Sequence, residues 1–159
     1  MKKLVLILLA GCSVTLPSRC LAKLGETEAQ LDARFGKPFH TLDDGRRFYA
    51  VSENVQVVVR FQVRAAQAIS VFEVYSKRDH SKMSLIELAH LLRLDGGITQ
   101  WQPKAITYSG GGIIQWRSID NKQTAYYNEI SKTLVVATID ALKKDREKNG
   151  PAIGIFKEI

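Results

Sequence analysis

Two capping signatures, Thr27 with Gln30 and Ser84 with Glu87, stand in front of short helical patterns, and behind each one the apolar residues change to the two-residue period of strands. A hydroxyl at the cap takes the N–H three residues on, and the amide or carboxylate there reaches back to the N–H of the cap. Such a pair therefore fixes a helix start to the residue. The first helix is expected over 27–35, with Leu31 and Phe35 on one face and Gly36 and Pro38 ending it. The second is expected over 85–94, with Leu85, Leu88, Leu91 and Leu92 as its apolar stripe and Gly96 and Gly97 as its exit.

Between the helices, Val55, Val57, Val59, Phe61 and Val63 alternate with Gln56, Val58, Arg60, Gln62 and Arg64, which reads as a strand with one buried face. Stretches 46–51 and 68–76 are its expected neighbours, joined around Glu53 and Asn54 and across 64–67. Connections this short pair strands antiparallel. After the second helix, strands are expected over 98–102 (ended by Pro103), 113–119, 124–129 and 134–139, with Asp120, Asn121 and Lys122 as a hairpin turn and 130–132 as the next. A polar helix over 141–148 follows, stopped by Asn149, Gly150 and Pro151, and leaves a tail with Ile153, Ile155, Phe156 and Ile159. The fold class is thus α+β: two successive units of a short helix and three or four antiparallel strands, at 24–77 and 84–148, within one domain over 23–159. A three-stranded sheet with one helix is marginal alone, so the units are expected to share a core or continue one sheet. At 45% hydrophobic and 25% charged residues, the 159-residue chain has the composition of an ordinary globular protein and not of a disordered one.

The first residues read as an export signal. Lys2 and Lys3 precede an apolar run over 4–10 that ends in small residues and Pro17. Seven apolar residues make about 10 Å of helix against roughly 30 Å of hydrocarbon, too short for a permanent span. Two processing sites fit. Cys20-Leu21-Ala22 suits a signal peptidase and gives a leader over 1–22; Leu9-Ala10-Gly11-Cys12 resembles a lipobox that would lipidate Cys12. Pro17 and the polar stretch after it favour the later cut. That cut removes both cysteines, whereas lipidation leaves Cys20 as a lone thiol in an oxidising compartment. It also lowers the formal charge from +7 to +4 by removing Lys2, Lys3 and Arg19. A modest charge spread over the chain does not mark a nucleic-acid partner. The basic run Lys143, Lys144, Arg146 and Lys148 is interrupted by Asp145 and Glu147 and reads as a solvated helix face.

Leu24 to Leu31 followed by Arg34-Phe35-Gly36-Lys37-Pro38 resembles the opening of a group of uncharacterised short exported bacterial proteins. More distantly, a helix closed by Gly-x-Pro before an aromatic strand (Phe48, Tyr49) and a Val-rich strand is similar to the small outer-membrane lipoprotein of β-barrel assembly (SmpA/OmlA-like). It is similar too to the helix-plus-sheet modules of β-lactamase-inhibitor-like proteins. The likeness covers residues 24–76 at most. It implies a binding or scaffold role in the cell envelope and carries over no catalytic residue.

Reactive constellations are not found. The histidines, His40, His80 and His90, are scattered. Glu87 and His90 have the spacing of half a carboxylate-bridged metal site, without the second half. Asp43-Asp44-Gly45 is turn chemistry, and Asp79-His80-Ser81 are sequence neighbours that nothing brings together as a triad. Gly110, Gly111 and Gly112 lead into a strand, not into the helix that a phosphate loop requires. Trp101, Tyr108 and Trp116 flank this triple glycine and Tyr126 follows; aromatics with polar handles suit recognition surfaces. These residues point to an exported, non-enzymatic envelope protein that presents a sheet face or edge to a protein partner. No cofactor or metal is expected, and membrane attachment only through Cys12. The alternative is a periplasmic carrier or sensor of a small ligand, built from the aromatics around the triple glycine.

Overall fold

A computed structural model describes residues 24–95, 101–107 and 112–149. The elements are α1 (Glu28–Phe35), β1 (His40–Thr41), β2 (Arg47–Ala50), β3 (Val55–Arg64), β4 (Gln67–Lys77), α2 (Leu85–Leu94), β5 (Trp101–Thr107), β6 (Ile113–Ser118), β7 (Gln123–Asn128), β8 (Thr133–Thr138) and α3 (Ile139–Asn149). The fold mixes helix with a single antiparallel sheet of eight strands in the order β1-β2-β3-β4-β8-β7-β6-β5. Pairs along the sheet are local except β4 with β8, where Phe72 faces Ala137 and Tyr75 faces Leu134. That non-local pair puts β4 and β8 at the centre, so Ser70 to Tyr75 and Thr133 to Ala137 are buried throughout. The proposed leader over 1–22 with Cys12 and Cys20, Tyr108, Gly110, Gly111, the exit at Gly96 and Gly97, and the tail from Gly150 lie outside the described residues.

The local rules hold where they were strongest. Both capping boxes form, with Thr27 accepting from the Gln30 N–H and Ser84 from the Glu87 N–H. The Asp43-Asp44-Gly45 turn is held by the Arg46 N–H on Asp44 Oδ1 (3.0 Å), and Gly45 has φ +83°, a conformation that favours glycine. The hairpin between β3 and β4 is less well served. Ala65 and Ala66 have φ 47° and 66°, in the left-handed region that such turns usually give to Asn-Gly.

Four expectations need correction. Strand β3 buries both faces at its middle, Val57, Val58 and Val59 together, because helices cover the sheet on both sides; Val63 at its far end is exposed. Its pairing also slips after Arg60, whose partner is Phe72, to Phe61, whose partner is Ser70, leaving Val71 as an extra residue. Strand β5 is not ended by Pro103 but runs through it, which an edge strand tolerates, since its outer N–H groups have no partner strand. Leu85 is 70% exposed, so the buried stripe of α2 is Leu88, Leu91 and Leu92. Helix α3 begins at Ile139, directly after β8.

Two cores result. Leu31 of α1 and Leu88, Leu91 and Leu92 of α2 pack on Val57, Val59, Tyr75, Leu134 and Val136 on one face of the sheet. On the other face, Ala141 and Leu142 of α3 cover Val58, Phe72, Val74 and Val135. No described helix is long and apolar enough to cross a membrane.

Candidate functional site

The alternation of β4 decides where its charge goes. Glu73 pairs with Val59 and Val136, and Tyr75 with Val57 and Leu134, so both lie on the face that carries α1 and α2. Glu73 and Asp95, the cap residue closing α2, are both 0% exposed. Tyr75 Oη donates to Glu73 Oε2 at 2.6 Å. Arg34, near the end of α1, brings Nη2 to 3.6 Å from that same oxygen and Nη1 to 3.1 Å from Glu26 Oε2. One cation thus sits among three carboxyl groups and a phenol, away from water.

The electrostatics follow from that crowding. Burial pushes the Asp95 carboxyl well above the usual carboxylate range, and nearby Glu73 pushes it further, with Arg34 working the other way. Burial, then Asp95 and Glu73, lift the Tyr75 hydroxyl well above the ordinary tyrosine value. Burial opposes the charge of Arg34, but Tyr75, Glu73, Glu26 and Asp95 more than offset it and hold its pKa above the usual value. The direction favours the protonated form of Asp95, because a neutral carboxyl costs less to bury beside Glu73 than a second carboxylate. At the margin of α1, Tyr49 donates to Asp32 Oδ1 at 3.0 Å, and burial with that bond pushes its hydroxyl up to about 12.

Beside this cluster, a cleft of about 540 Å³ opens between α1 and α2. Phe35, Val51, Val55, Leu91 and Leu94 make its apolar walls; Ile86, Glu87 and His90 stand along α2, and Arg34 lines it from α1. Glu87 is tied down by Lys77 Nζ at 2.8 Å and by the Ser84 N–H, and these hold its carboxyl down at about 2. On the other flank of α2, a cleft of about 300 Å³ is lined by Leu85, Ala89, Leu92, Trp101, Pro103 and Trp116.

The expected recognition residues divide between the faces. Trp101 is 8% exposed, and its Nε1 donates to the Leu92 carbonyl at 2.9 Å, so its polar handle is used inside the core. Trp116 is half-buried and shares the smaller cleft with it. Tyr126 lies on the opposite face, packed against the core under α3, where burial and Asp145 push its hydroxyl above the ordinary value. Register explains the split: Trp116 pairs with Ala125 while Tyr126 pairs with Gln115 and Val135, so neighbouring residues of β7 serve different layers. Gly112 precedes β6, its carbonyl accepting from the Glu129 N–H.

Other candidates find ordinary places. His90 is exposed, and among the described residues no group of three or more His, Cys, Asp or Glu is placed to hold a metal ion. Asp79 accepts from the Ser81 N–H in a loop where His80 has φ 54°. Lys143, Lys144, Arg146 and Lys148 are exposed on α3, whereas Asp145 turns inward to Arg60 at 2.9 Å. Sequence reasoning missed Arg34, Glu73 and Asp95. One signal was available for Glu73: an acid set among Val71, Phe72, Val74 and Tyr75 in a strand without a polar face. No family model matches the chain, and comparison with curated proteins and with solved structures returned no match either.

Proposed function

We propose that this chain is an exported, non-enzymatic protein of the cell envelope that binds a partner protein through the α2 side of its sheet. One observation carries the reading: Leu85 and Ile86, adjacent in the first turn of α2, are 70% and 83% exposed, and each borders one of the two apolar clefts. Exposed aliphatic side chains next to concave apolar surface suit interdigitation with a partner better than contact with water. The sheet edges suit partners less well. Strand β1 is two residues long, and β5 carries Pro103 and a register shift, features that discourage strand addition. Export rests on the leader over 1–22, with Cys12 as the alternative lipid site, and the SmpA-like and inhibitor-like resemblance supports an envelope role.

The element order, α1 before β1–β4 and α2 before β5–β8 with β4 beside β8, supports reading the chain as two successive units over 24–77 and 84–148. In that reading, α2 lies where the units meet. A photo-reactive residue placed at Ile86 should cross-link one discrete envelope protein, and Leu85→Asp should abolish the product. The same group at Lys143 on α3 should give none. Identical products from both positions, or none from Ile86, would end the reading. An intact mass of the native protein beginning at Lys23 would support the leader; a lipid on Cys12 would replace it.

The second reading, a small-ligand carrier, is favoured by the cleft that Trp101 and Trp116 share. It expects tryptophan fluorescence to respond to a metabolite panel, and a flat response would remove it.

A further inference from the structure

We propose that Glu73 and Asp95 share a single proton, carried by Asp95 and donated to Glu73, and that this bond is a pH-sensitive clasp fastening the end of α2 to the sheet. The inference goes beyond the partner-binding reading and does not depend on it. Its basis is three buried oxygens without donors. Both carboxyls are 0% exposed. Glu73 Oε2 takes the one proton that Tyr75 has to give, at 2.6 Å. Glu73 Oε1 and both oxygens of Asp95 accept from no N–H or O–H among the described residues, although Asp95 lies within hydrogen-bonding reach of Glu73. Two carboxylates facing each other have no donor between them; one proton supplies it and removes a charge. Position supports the same assignment. Asp95 is the C-cap of α2, where a negative charge would meet the negative end of the helix dipole. Tyr75 and Arg34 both approach Glu73 Oε2, which makes Glu73 the charged member of the pair.

When the proton leaves to water, three carboxylates, Glu26, Glu73 and Asp95, surround the one guanidinium of Arg34, with the Tyr75 hydroxyl beside them. The added charge has to reach solvent, and the two acids are not equally free to move. Glu73 is fixed in β4 between Val59 of β3 and Val136 of β8, whereas Asp95 closes a helix of ten residues. The start of α2 is held separately. Tyr127 Oη accepts from the Met83 N–H, and Lys77 Nζ lies 2.8 Å from Glu87; their hydrogen bond raises Lys77 and lowers Glu87, so that pair keeps its charges. His90, between the two ends, is exposed. The last turn of α2 therefore lifts while the first stays. Trp101 reports the movement, because its Nε1 donates to the carbonyl of Leu92 in that last turn.

Infrared spectra of the full chain test the proton, and NMR tests the clasp. At about pH 6, where exposed carboxyls are ionised, the wild type should show the carbonyl stretch of a protonated acid. Raising the pH toward about 10 should abolish that band, and the Trp101 Nε1–Hε1 signal should shift with the same midpoint. Asp95→Asn offers Glu73 an amide N–H and has no proton to lose: the band should be missing, and the Trp101 signal should hold still across the range. Glu73→Gln takes away the neighbouring carboxylate and should lower the midpoint of the band by about one pH unit or more. A wild type without the band, an unchanged midpoint in Glu73→Gln, or a Trp101 shift that persists in Asp95→Asn would overturn the proposal. Should the variants fail to fold, the wild type still decides, since a band and a Trp101 signal that titrate apart would overturn it too.

Discussion

The two faces of the sheet solve the same packing problem differently. Under α3, Val58, Val71, Phe72, Val74, Val135 and Ala137 meet Ala141 and Leu142, and the inward charge pair, Arg60 with Asp145, leaves Arg60 41% exposed. Under α1 and α2 the core is larger but holds Arg34, Glu73 and Asp95, and its helices stand apart enough to leave a cleft. A face built only to be stable has no need of a buried acid with a raised pKa. The contrast teaches that polar groups and open space were placed together on one side, the combination that marks candidate binding sites.

Removing the cation from each face breaks the comparison most sharply. Arg34→Leu leaves Glu73 and Glu26 uncompensated and should cost about 3–5 kcal/mol in denaturant unfolding. Arg60→Leu, whose site water already reaches, should cost about 1 kcal/mol. Equal losses would mean that the faces do not differ as described.

Asp95→Asn sharpens the point through pH. Because burial raises the Asp95 pKa, the folded chain holds that proton more tightly than the unfolded one. Its contribution is complete below the ordinary carboxylate range near pH 4 and is lost as pH rises toward the folded value. Asp95→Asn should therefore gain stability relative to the wild type as pH rises from 3 to 8, because the amide has no proton to lose. The advantage should vanish near pH 3; thermal melts across that range measure it.

Two smaller effects serve as controls. Ala65→Asn with Ala66→Gly gives the β3–β4 turn residues that accept its positive φ, and should gain about 1 kcal/mol, independent of pH. Glu87, held down at about 2, works in the opposite sense to Asp95: its contribution is present above the usual glutamate range and fades as pH falls toward 2. Glu87→Gln should cost about 0.5 kcal/mol at pH 7, discounted because the side chain is 37% exposed, and nothing at pH 2.

Much of the fold was legible because its signals are local. Thr27 with Gln30 and Ser84 with Glu87 fixed both helix starts, and Asp120 with Asn121 marked a turn whose Asn121 has φ 57°. The site was not legible, since Glu73 and Asp95 are far in sequence from Glu26 and Arg34 and from each other, and the four meet only through packing. Of the aromatic surface expected from Trp101, Tyr108, Trp116 and Tyr126, Trp101 and Trp116 line one cleft, Tyr126 lies on the other face and Tyr108 falls outside the described residues. An aromatic signal by itself does not say which side of a strand it serves.

The order of elements, the caps and most turns were written in the sequence, because each depends on residues within four positions of one another. The pairing of β4 with β8, the covering of both faces that buries Val57, Val58 and Val59 alike, and the meeting of Arg34 with Glu73 and Asp95 were decided only in three dimensions. Those features join distant parts of the chain, and their free energy comes from burial that no local pattern encodes.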